Sequence, residues 1–75
     1  MLEQIQMIIR EELDRFTGDE TRANALRSAA WFVMDDFPEA TSADFADAAV
    51  MEGQHRQGSI NRWNEALKNL KVANG

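Results

Sequence analysis

Few residues in this chain stand in patterns that could do chemistry, and its one imidazole falls late. His55 is its only histidine and cysteine is absent. One imidazole in a polar turn provides neither the paired groups of nucleophilic catalysis nor the second imidazole or thiolate of a zinc site. Asp35, Asp36 and Glu39 lack the alternating ligand pattern of a calcium loop, and Gly53 and Gly58 are too isolated to form a glycine-rich phosphate loop. No catalytic residue, metal ligand or cofactor is expected, and the activity to look for is binding. The charge distribution points the same way. After Gly53 the bases Arg56, Arg62, Lys68 and Lys71 meet one acid, Glu65, although the whole chain carries a formal charge of −5. A turn leading into a helix with a basic, amide-rich outer face suits contact with a nucleic acid.

Those residues must be held by a small scaffold. At 75 residues the chain forms one domain with a modest core, and its 44% apolar content is too high for a disordered segment. Hydrophobic spacing predicts an all-α bundle of four helices, over about 2–16, 20–36, 42–52 and 60–72. Leu2, Ile5, Ile8, Ile9, Leu13 and Phe16 make an apolar stripe on the first, with Glu11, Glu12, Asp14 and Arg15 pointing elsewhere. Gly18 ends that helix and Asp19 caps the next. Leu26, Ala29, Ala30, Val33 and Met34 face inward from the second helix, and Trp31 and Phe32 widen its stripe. Pro38 then stops it. Thr41 and Asp44 form a capping box for the third, whose buried side is Phe45, Ala48, Ala49 and Met51 before Gly53. Ser59 caps the fourth, which buries Ile60, Trp63, Leu67 and Leu70. Both tryptophans are expected in the core, with Trp63 fastening the fourth helix to the second.

Residues 42–71 resemble the helix-turn-helix of DNA-binding proteins, particularly small phage and bacterial regulators. Ala49 and Gly53 stand at the family's alanine-to-glycine spacing, and Ile60 is available for its buried aliphatic position. The stretch from Gly53 to Ser59 reads as longer than the family's three- or four-residue turn. The resemblance implies a recognition helix starting near Ser59 and lying in the major groove of double-stranded DNA. On that reading Asn61, Arg62, Asn64 and Glu65 face outward, Arg62 reads guanine and Asn61 or Asn64 reads adenine. Gln54, His55, Arg56 and Gln57 lie by the phosphates, Ser59 at the helix start belongs to the same DNA-binding set, and Lys68 and Lys71 add charge. Arg62, in the first turn of that helix, calls for an anion or for an ion pair with Asp44, Asp47 or Glu52. The function so implied is a DNA-binding transcriptional regulator.

The alternative is a protein-binding module. Asp35, Asp36, Glu39, Asp44, Asp47 and Glu52 run without an intervening base and would present a negative face to a basic surface. In size and composition the chain is similar to phage-encoded inhibitors, including anti-CRISPR proteins and DNA mimics. A third reading is a self-associating module, in which the stripe of the first helix pairs with its twin; such a homodimer would also suit a helix-turn-helix protein. With no long apolar run and no signal-peptide pattern, the expected location is the cytoplasm and no membrane partner is expected.

Overall fold

The computed structural model describes residues 1–16 and 18–74, and the side chains of all of these except 19, 20 and 70–74. Four helices follow one another: α1 (Leu2–Arg15), α2 (Asp19–Asp36), α3 (Ser42–Met51) and α4 (Arg56–Asn74). The all-α expectation holds, and no strand occurs among the described residues. The expected capping side chain of Asp19, the packing of Leu70, the charge of Lys71 and the end at Gly75 lie outside the described residues.

Local chemistry accounts for the helix boundaries. Gly18, at φ +94°, takes the position before α2 and turns the chain where an L side chain would be strained; it, rather than Asp19, is the cap residue. Thr41 and Asp44 form the expected capping box, each side chain accepting from the other's backbone N–H. α3 closes through Gly53, at φ +81°, with the Gly53 N–H donating to Val50 and the Gln54 N–H to Ala49. This paired bonding satisfies carbonyls that a helix end would leave open.

α4 starts four residues earlier than its hydrophobic pattern indicates. His55 is the cap: its Nδ1 accepts the Gly58 N–H at 3.1 Å, and its carbonyl accepts the Ser59 N–H at 2.9 Å. Ser59 is therefore a helical residue, and its hydroxyl donates to the same carbonyl at 2.8 Å. The connection from α3 shrinks to residues 52–55, four residues rather than the long turn expected.

The helices close into a ring in which α1 and α4 each pack on both α2 and α3. The Cα radius of gyration, 11.1 Å, is that of a compact chain of this length. Ile5 and Ile9, Leu26, Ala29, Ala30 and Val33, Phe45, Ala48 and Ala49, and Trp63 and Ala66 meet in one core. Burial of each larger aliphatic or aromatic side chain contributes about 1.5–3 kcal/mol. Trp63 stacks at a tilt on Phe45, ring centroids 5.4 Å apart, so its aromatic contact is with α3 rather than with α2.

Several expectations about faces are corrected. Trp31 and Phe32 are 48% and 47% exposed, and Leu2, Met51 and Leu67 are exposed as well. Roughly a hundred degrees per residue carries Trp31 and Phe32 away from the Leu26–Ala29–Val33 face that the ring covers. Ile60 is half-buried, and Ser59 takes the fully buried place in this turn. Glu12 points inward at 5% exposure, with Arg15 Nη1 3.7 Å from its carboxylate.

Candidate nucleic-acid interface

The early start of α4 determines which side chains share its outer face. Ser59, Trp63 and Ala66 are buried on one side. Across the helix Gln57, Asn61, Asn64 and Lys68 are all exposed, at spacings of four, three and four. Such spacing lines residues along one stripe. Gln57 Nε2 donates to Asn61 Oδ1 at 3.1 Å, which orients the two amides along the helix. No carboxylate belongs to this stripe.

Other residues expected at the interface are placed differently. Ser59 is wholly buried and offers no atom to a surface contact. Gln54 is half-buried and donates to the Glu52 carbonyl at 3.3 Å. His55 is exposed but holds the helix start; accepting through Nδ1 places the proton of the neutral ring on Nε2, an available donor. Arg56, now the first helical residue, pairs with Asp47 of α3. Arg62 lies beyond the first turn and is half-buried, not outward-facing, and Glu65 is half-buried too. Arg62 Nε sits 2.8 Å from Glu65 Oε2, yet makes no directed hydrogen bond; the contact is charge attraction without alignment. Arg27 Nη1 donates to the same Glu65 oxygen at 2.9 Å.

Arg62 instead borders a cleft of about 340 Å³ between α2 and the start of α4, with Arg22, Gln54, His55 and Gly58 around it. Two guanidinium groups and no carboxylate line this cleft. Arg22 forms no ion pair among the described residues. Sequence reading overlooked Arg22 because it lies in the acidic part of the chain, far from the bases it joins in space.

The six-acid face is divided by the fold. Asp44 serves the capping box, Asp47 holds Arg56, and Glu52 takes two hydrogen bonds from Arg10, at 2.9 and 3.0 Å, and one from Gln6 at 3.2 Å. The Arg10 hydrogen bond lowers the Glu52 pKa below its ordinary value and raises that of Arg10. Asp35, Asp36 and Glu39 remain exposed and without an ion pair among the described residues. No helix among the described residues is long and apolar enough to cross a membrane. No family model, curated protein or solved structure matches this chain.

Proposed function

We propose that this chain is a small helix-turn-helix-like protein that binds double-stranded DNA through α4 and serves transcriptional control. The observation that carries the reading is the exposed Gln57–Asn61–Asn64–Lys68 stripe, which has amides for base edges, one cation and no acid. The four-residue connection at Gly53 supports it, since the expected departure in turn length is gone. Arg62 leaves the base-reading set and lines the neighbouring cleft, held to Glu65, so that Arg22 is the cation that would hold a backbone phosphate there. Arg56, neutralised by Asp47, then orders the turn rather than adding affinity.

The test is binding to a random duplex pool across a salt series. Asn61→Ala or Asn64→Ala should weaken the preferred sequence by about 1–3 kcal/mol while sparing non-specific binding. Arg22→Gln should weaken all sequences alike and reduce the salt slope by about 0.9. Absence of binding at low salt would sink the proposal and leave the acidic alternative, narrowed to Asp35, Asp36 and Glu39, as the reading to pursue with a basic protein.

A further inference from the structure

A groove of about 920 Å³ runs along the outside of α2 where it meets α4, with the exposed rings of Trp31 and Phe32 in its wall. Two half-exposed aromatic residues lining one groove form an anchor of the kind found at protein interfaces. Trp31 is also pre-positioned: its indole N–H donates to the Ala66 carbonyl at 3.2 Å, fixing the ring without burying it.

The residues beside it form a self-complementary pattern. Asn24, Ser28, Trp31 and Asp35 follow one another at spacings of four, three and four, and all line the groove. If a second α2 is laid antiparallel about a two-fold axis midway between positions 29 and 30, Ser28 falls opposite the other copy's Trp31. Asn24 falls opposite its Asp35. A small residue facing a large one lets helices interdigitate.

Charge matches in the same register. Arg27 Nη2 donates to Asn24 Oδ1, so a guanidinium accompanies that amide. Glu65 is the shared partner of both Arg27 and Arg62, so this group of two cations and one carboxylate carries one unbalanced positive charge. Asp35 is exposed and forms no ion pair among the described residues.

We propose that the chain forms a two-fold homodimer through antiparallel α2 helices, with Trp31 of each copy over Ser28 of the other and Asp35 against the Arg27–Asn24 pair. The stripe of α1 cannot supply this contact, because Ile5 and Ile9 are wholly buried in the chain's own core. The inference is independent of the DNA reading, since α4 presents its amide stripe on a different face from the side that meets α2.

Sedimentation equilibrium of the full chain tests it, at concentrations up to about 1 mM. The wild type should show a monomer–dimer equilibrium. Asp35→Lys should raise the dimer dissociation constant by about tenfold or more. The same change places a cation near the C-terminal end of α2, where the helix dipole favours it, so the monomer should keep or gain thermal stability. Opposite effects on fold and assembly separate loss of a contact from unfolding. Ser28→Gln, which occupies the space required by the other copy's Trp31, should weaken the dimer with helical circular dichroism unchanged. A wild type that sediments as a monomer throughout would overturn the proposal. So would a dimer that tolerates both substitutions.

Discussion

His55 shows how a residue that suggests catalysis can carry architecture. Its ring nitrogen takes one of the open N–H groups at the start of α4, and its carbonyl takes the next along with the Ser59 hydroxyl. Removal of a helix cap costs about 1 kcal/mol. His55→Ala should therefore lower the urea midpoint, and His55→Asp should recover it, because aspartate caps well and suits the positive end of the helix dipole. An alanine variant as stable as the wild type would show that this cap contributes nothing. The residue's type was plain in the sequence; its job depended on a helix start that the apolar pattern placed four residues too late.

Gly53 and Gly58 flank that start and make contrasting demands. At Gly53 an added Cβ meets nothing within 4 Å, but φ is +81°, so the cost of Gly53→Ala is conformational. A left-handed L residue costs about 1–2 kcal/mol, and a shift of about 1 kcal/mol moves the melting temperature of such a small domain by about 4–8 °C. Gly58 lies inside α4 without positive φ, and its added Cβ would sit 3.6 Å from His55 Nδ1, an ordinary contact. Gly58→Ala should raise stability by about 0.5–1 kcal/mol. Calorimetry of the two variants checks the element boundary directly: were α4 to begin at Ser59, Gly58 would lie outside the helix and the gain would vanish. Neither glycine differs from the other by type, and a backbone angle separates them.

Across the whole molecule, the Arg10–Glu52 pair ties α1 to the end of α3, 42 positions away. Because Glu52 titrates below its ordinary value of 4.5 in the folded protein, the pair's contribution is complete above that value. It is lost as pH falls through the lowered folded value, when the carboxylate takes up a proton that the unfolded chain already binds. Melting temperature should thus decline on acidification below about pH 4.5, and Arg10→Gln should flatten part of that decline. Identical pH profiles for the two proteins would show that the tie does not contribute to stability.

By itself the sequence determined the helical class, the capping box at Thr41 and Asp44, the positive-φ turns at Gly18 and Gly53, and most of the core. These follow from periodicity and short-range hydrogen bonding, which act over four or five residues. Tertiary structure decided which stripe of α2 was covered, exposing Trp31, and how Asp47, Glu52, Arg56 and Arg62 were paired. It also brought Arg22 beside Arg62. A carboxylate takes whichever cation the packing brings within reach, and packing joins positions that spacing along the chain does not relate.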